Sequence, residues 1–179
     1  LGLKSIRAIV FDSNGKAKAS AFKPVNTFLS RDFVEQQADE WWEKGLQCIK
    51  QVLKKDSKID FVTVTSSSAC LIPVRQDGTC LSKAIMVSDK RALKESMQIS
   101  QLDSFKKMPF KALPYYSVPK ILWIKNNWPK VYAETHKFLS PNDFLFFKLT
   151  GQFCIDELNA TKYYTLDNSY PKELLKTSW

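Results

Sequence analysis

The chain has 179 residues and a mass of 20.6 kDa, with 44% hydrophobic and 25% charged residues; this balance fits one folded domain and excludes disordered, collagen-like and mucin-like chains. Its 27 Lys and Arg against 18 Asp and Glu give a net charge of +9, yet only Arg7, Arg31, Arg75 and Arg91 are Arg, so 27 less 4 leaves 23 scattered Lys, a solvated surface more than an Arg-led reader of nucleic acid. Lys and Asp interrupt every apolar run short of the ~18 residues of a membrane span, and the first residues lack a signal-peptide pattern, so a cytoplasmic location without membrane or nucleic-acid partners is expected.

In chain order, Ser5 to Phe11 reads as a strand, and Asp12-Ser13-Asn14-Gly15 as a hairpin turn with positive φ at Asn and Gly. A second strand, about Lys16 to Val25, returns antiparallel. After Asp32, the apolar positions Phe33, Val34, Ala38, Trp41, Trp42, Leu46, Ile49, Val52 and Leu53 recur every three or four residues, the period of an amphipathic helix. Ile59 to Thr65 reads as a buried strand, Leu71 to Val74 as a shorter one closed by Arg75-Gln76-Asp77-Gly78, and Ala84 to Val87 as a third apolar run. Good helix formers fill Asp89 to Ile99 and Pro119 to Thr135, with Pro129 ending or kinking the second. Ser140-Pro141-Asn142-Asp143 supplies a capping hydroxyl, a first-turn proline and an acidic third residue ahead of Phe144 to Leu149, and Gly151 closes that helix. A hairpin followed by a helix crossover points to an α/β layer fold with a mixed sheet.

Cys48, Cys70, Cys80 and Cys154 form no C-x-x-C pair, and His136 is the only histidine, so zinc centres and His-dependent nucleophiles have little material to work with. No metal ligands are expected. Neither G-x-x-x-x-G-K-S/T nor G-x-G-x-x-G occurs. The one glycine-bearing turn that feeds a strand is Gly2-Leu3-Lys4-Ser5-Ile6-Arg7; backbone N–H groups and a Lys there suit a phosphate, although the same residues suit a frayed terminus.

Several segments resemble, in order, the amino-terminal domain of the FGGY carbohydrate kinases. Gly2 and Arg7 match the family's D-x-G-T-x-x-x-R where an Asp precedes Leu1. Val34 to Trp42 resembles V-E-Q-D-A-E-E-W-W, and Ile85 to Ala92, with Asp89 and Arg91, resembles I-x-W-x-D-x-R. Pro119-Lys120-Ile121-Leu122-Trp123 with Pro129 and Tyr132 resembles P-K-I-L-W-x-x-x-x-P-x-x-Y. Phe138 to Leu145, Leu149-Thr150-Gly151, Asp156 and Asn159-Ala160 resemble F-L-x-P-x-D-Y-L-x-x-x-L-T-G, D and N-A. The matches run through nearly the whole chain.

This resemblance implies a ribonuclease H-like, actin-like ATPase domain, a mixed sheet flanked by helices, with residues 1–179 an incomplete first domain and the carboxy-terminal ATP-binding domain outside the chain. It implies ATP-dependent phosphorylation of a ketopentose, pentitol or glycerol-class hydroxyl, with ATP and Mg²⁺ as co-substrate and ion and a homodimer left open. The general-base Asp falls beyond residue 179, so the fragment alone is expected to be inactive. Phosphate-binding roles fall on Gly2, Lys4, Ser5 and Arg7. Substrate-binding roles fall on Ser67, Ser68 and Ala69, which with Cys70 replace the family's Q-M-H-G or Q-R-E-T, on Tyr115 in Pro114-Tyr115-Tyr116-Ser117, and on Asp89 and Arg91. The hydroxyls of Ser66, Ser67 and Ser68 suit sugar hydroxyls and equally a polar loop at a strand end; Asp89 with Arg91 suits a structural ion pair as well as a cleft-facing one. Asp156 with Asn159 reads as the cap of a turn. Leu3 and Lys4 stand at the family's Thr positions and Val87 at its Trp. These departures keep two other readings in view: a member that binds sugar without phosphorylating it, and, on the charge and the pI of about 9.3 alone, a nucleic-acid-binding module.

Overall fold

Alternation of small or apolar residues with charged ones makes the first hairpin. β1 (Ser5–Phe11) and β2 (Ala17–Pro24) pair antiparallel from Ser5 opposite Pro24 to Val10 opposite Ala19, with a register shift at Phe11. The Asp12 carboxylate accepts from the amides of Asn14 and Lys16, each at 3.0 Å, and Gly15 takes φ +76°. Asn14 keeps a negative φ, because the Asp12 side chain organises the turn and leaves a left-handed backbone to glycine alone. The molecule is described by a computed structural model over residues 1–108 and 111–163.

α1 (Ala38–Leu53) buries Ala38, Trp41, Gly45, Cys48 and Val52 against β1 and β2, one face at three- and four-residue spacing. The expected helix period at Phe33 and Val34 is a coincidence of spacing. Both lie in β4 (Phe33–Gln36), which pairs with β3 (Phe28–Ser30) on one side and β6 (Ala84–Ile85) on the other. What starts the helix later is the backbone of Gln37, extended at ψ 115°. Gln36 is buried there, and its amide donates to Leu3 O (2.7 Å) and Thr27 Oγ1 (2.8 Å) while its oxygen accepts from Trp41 Nε1 (2.9 Å).

β5 (Ile72–Val74) pairs antiparallel with β7 (Lys137–Leu139), and an isolated bridge between Leu71 and Ile85 links this pair to the β3–β4–β6 sheet. The α/β class holds, but the expected single mixed sheet is, among the described residues, three small antiparallel sheets. The expected buried strand Ile59–Thr65 is the reason. Its residues form no regular element, and Phe61 is 94% exposed. A strand exists only where a neighbour completes its ladder, and here pairing is confined to the end: Leu1 N donates to Thr65 O at 2.6 Å, and Ser67 N donates to Leu1 O at 3.1 Å.

The second half is helical. α2 (Leu93–Ser100) begins four residues after Asp89, whose carboxylate is spent on neighbouring N–H groups instead of a helix turn. A short α3 (Asp103–Lys106) follows. Pro129 ends the long helix as expected, giving α4 (Ser117–Asn127) and α5 (Pro129–Glu134) with Trp128 at the joint. Val118 and Leu122 of α4 pack with Ile99, Phe105 and Met108, while Ile121 and Ile124 pack with Leu71 and Ile85. α6 (Pro141–Thr150) has the expected ends: Ser140 Oγ accepts from Asp143 N, Asp143 Oδ2 accepts from Ser140 N at 3.0 Å, and Gly151 closes at φ +73°. α7 (Glu157–Ala160) is capped by Asp156, whose Oδ1 accepts from Asn159 N at 2.9 Å. No described helix is long and apolar enough to cross a membrane.

Candidate active site

Two irregular segments meet beside the hairpin. One is the Gly2–Ser5 turn, closed by Gly2 N donating to Ser5 O at 2.9 Å, with Gly2, Lys4 and Arg7 exposed and Ser5 half-buried. The other is the loop from Ser66 to Cys70. The paired bonds of Leu1 with Thr65 and Ser67 hold them together. The expected phosphate residues and the expected substrate serines therefore lie at one edge of the molecule.

The serine loop is tied down from behind by α6, α7 and the turn after it. Ser66 Oγ donates to Asn142 Oδ1 at 2.9 Å, and Ser68 Oγ donates to Asn159 Oδ1 at 3.1 Å. Asp156 Oδ2 collects Asn142 Nδ2 (2.6 Å) and Asn159 Nδ2 (2.5 Å). Lys162 Nζ donates to Asn159 Oδ1 at 2.6 Å and to Ser68 Oγ. Of the three hydroxyls, Ser67 Oγ alone has a soft neighbour, Cys70 Sγ at 3.6 Å. Ala69 sits at φ +63°.

The charges of this network follow from burial and bonding together. Burial pushes the Asp156 carboxyl up, but hydrogen bonds from Asn142 and Asn159 and the charge of Lys162 outweigh it, and the net shift is downward. Burial pushes the Lys162 ammonium down against the pull of Asp156 and Asp143. The Cys70 thiol is raised by burial, and Asp143 is raised by the same cause despite its bonds from Ser140. The cluster thus sets an ionised Asp156 beside the Lys162 amino group, a polar floor able to hold hydroxyls.

Asp89 and Arg91 are placed differently from the serines. Asp89 is fully buried; its Oδ2 accepts from Val34 N at 2.6 Å, and Arg91 bonds it through Nε (2.9 Å) and Nη2 (2.8 Å). Arg91 Nη2 also donates to Glu35 Oε1 at 2.7 Å, and the guanidinium lies 4.1 Å over the Phe33 ring and 4.9 Å from that of Trp123. Both side chains thereby join β4 to the residues after β6. Tyr115 is exposed, edge-on to Tyr116 at 5.1 Å, just before α4. On α4 itself, Lys120 reaches the serine loop through Ala69 O.

Asn142, Lys120 and Lys162 were not singled out from sequence. Asn142 and Lys120 lie in motifs that read as a helix cap and a packing stripe, and Lys162 carries only the hint of its three-residue spacing from Asn159. Among the described residues, no three His, Cys, Asp or Glu side chains converge on a metal position.

The chain is 24% identical over 162 residues to a xylulose kinase of Bacillus subtilis, covering 84% of this chain and 32% of that protein. It is 28% identical over 175 residues to a D-ribulokinase of Saccharomyces cerevisiae, covering 85% of this chain and 24% of that one. Its fold superposes on a ligand-bound xylulose kinase from Lactobacillus acidophilus (TM-score 0.90, 23% identity, 98% of this chain and 38% of the other) and on Plasmodium falciparum glycerol kinase with ADP (TM-score 0.90, 21% identity, 99% and 39%). The chain spans between 24% and 39% of the length of these relatives. The model of the FGGY family of carbohydrate kinases, N-terminal domain, matches residues 1–176, and the chain belongs to that family.

Proposed function

We propose that the full-length protein transfers the γ-phosphoryl group of ATP to a hydroxyl of a sugar or polyol of the ketopentose, pentitol or glycerol class, and that this chain supplies the sugar side of the site. The observation that carries this reading is the pairing of Leu1 with Thr65 and Ser67, which sets the Gly2–Arg7 turn against the serine loop. A transfer reaction needs a hydroxyl and a phosphate held within reach of each other. In this reading Ser67, with Ser68 and the Ala69 backbone beside it, faces the sugar, and Tyr115 covers it. Gly2, Lys4, Ser5 and Arg7 face the phosphate side. Asp89 and Arg91 serve the substrate at one remove by fixing β4 to the end of β6. ATP is the co-substrate that kinase relatives imply; Mg²⁺, when bound, would supply charge neutralisation for the transferring group, and both would be held with residues outside this chain, as would the general base. The enzyme works in the cytoplasm.

A second reading has one observation in its favour. Leu3 stands, half-exposed, where the family has a Thr hydroxyl, so a phosphate partner is lost and the protein binds sugar without turning it over. ADP release by the full-length protein with Mg·ATP, assayed over ketopentoses, aldoses, pentitols and glycerol, separates the two. Turnover dependent on one compound supports the kinase. Saturable sugar binding by calorimetry with no ADP release across the panel supports the binder.

A further inference from the structure

Lys120 lies on α4 with its whole side chain sealed, 0% exposed. Its Nζ donates to Ala69 O and to Met86 O, each at 2.8 Å. These carbonyls belong to different segments, the serine loop and the residue after β6. The segments are already joined one step away, where Leu71 and Ile85 exchange both backbone bonds at 2.9 Å, and Lys120 closes the open end of that bridge. Ala69 is one of two non-glycine residues at positive φ among those described, a conformation that persists only when its surroundings hold it.

An apolar side chain would fill the slot without desolvating a charge, and a Met has nearly the same length. What an ammonium adds is attraction for two carbonyl oxygens at once. Asp89, the carboxylate that feels this charge, is taken up by Arg91 and the Val34 amide, so the ammonium acts on the backbone. We propose that Lys120 is a positioning residue for the substrate loop: its ammonium pins Ala69 and Met86 to one point and thereby sets where Ser67 and Ser68 stand. The role of this loop in binding substrate rests on the kinase reading above; the pinning does not.

Burial holds the Lys120 ammonium down to about 8, with Cys70 and Asp89 drawing it up and Arg91 adding to the depression.

The test is hydrogen exchange of the full-length protein at pH 7 in wild type, Lys120→Met and Lys120→Arg. Peptides covering 66–71 and 84–88 should be about tenfold less protected in Lys120→Met than in wild type. Lys120→Arg should keep the wild-type protection, and α1 should be indifferent throughout. Equal protection in wild type and Lys120→Met overturns the proposal. With the sugar that turns over in the panel, Lys120→Met should raise KM about tenfold while kcat stays within about twofold; an unchanged KM overturns the positioning role. If no sugar turns over, exchange alone decides, so failure of the kinase reading and failure of the pin are separate results.

Discussion

Ser67 and Ser68 are adjacent and chemically alike, yet their surroundings assign them opposite costs. Ser68 gives its hydroxyl to Asn159 and receives Lys162, a side chain with 9% of its surface exposed. Ser68→Ala leaves a buried ammonium short of an acceptor, which costs about 1–3 kcal/mol and should lower the urea midpoint. Among the described residues the Ser67 hydroxyl has only the thiol of Cys70 at 3.6 Å, so Ser67→Ala should change stability by less than about 0.5 kcal/mol. If Ser67 faces the sugar, the same variant should raise KM for the sugar in the full-length protein. Equal stability loss in both variants would show that the loop does not divide its hydroxyls this way. Sequence placed all three serines near the site but could not rank them, because the ranking depends on Asn142, Asn159 and Lys162, more than 70 residues away in the chain by the spacing of the bonds.

Two glycines show what separates a turn from its packing. Gly151 and Gly78 take nearly the same left-handed backbone, φ +73° and φ +80°. A Cβ on Gly151 meets nothing within 4 Å, whereas one on Gly78 would stand 1.9 Å from the Phe147 ring. That ring is stacked on Phe153 at 4.4 Å, which in turn packs on His136, so it has little room to retreat. Gly151→Ala should therefore cost about 1 kcal/mol of backbone strain, and Gly78→Ala about 2–4 kcal/mol once overpacking is added, a difference that thermal denaturation resolves. Both turns were legible in sequence, as were α1, the hairpin and both ends of α6, because caps, turns and helix periodicity are local. β3, β4 and β7 were not, since their existence is decided by partners elsewhere. Ile59 to Thr65 failed for the same reason in reverse: a strand-like composition without a ladder stays coil.

At the scale of the molecule, the high-pH behaviour is a contest between groups buried in opposite senses. Lys120 is depressed from 10.5 to about 8 by burial. Its folded form binds fewer protons than its unfolded form between these values, so its contribution to stability is complete above 10.5 and is lost as pH falls toward 8. At about 1.4 kcal/mol for each tenfold in proton affinity, the loss is about 3 kcal/mol. Cys80, raised by burial from 9.0 to about 12, and Tyr163, raised by burial from 10.0 to about 12, act the other way. Their contributions are present below 9 and 10 and disappear as pH rises toward 12. The pH dependence of wild type alone therefore mixes opposing signs, and the difference between wild type and Lys120→Met isolates one of them. At pH 7 the variant sheds the cost of a buried charge but leaves Ala69 O and Met86 O without their donor, at about 1–3 kcal/mol for each buried group, so the two should nearly cancel. From pH 8 to pH 10.5 wild type should gain on Lys120→Met by about 3 kcal/mol, read as diverging urea midpoints. A constant difference across that window would mean that the Lys120 amine is not depressed, and that its two carbonyl bonds compensate its burial in full.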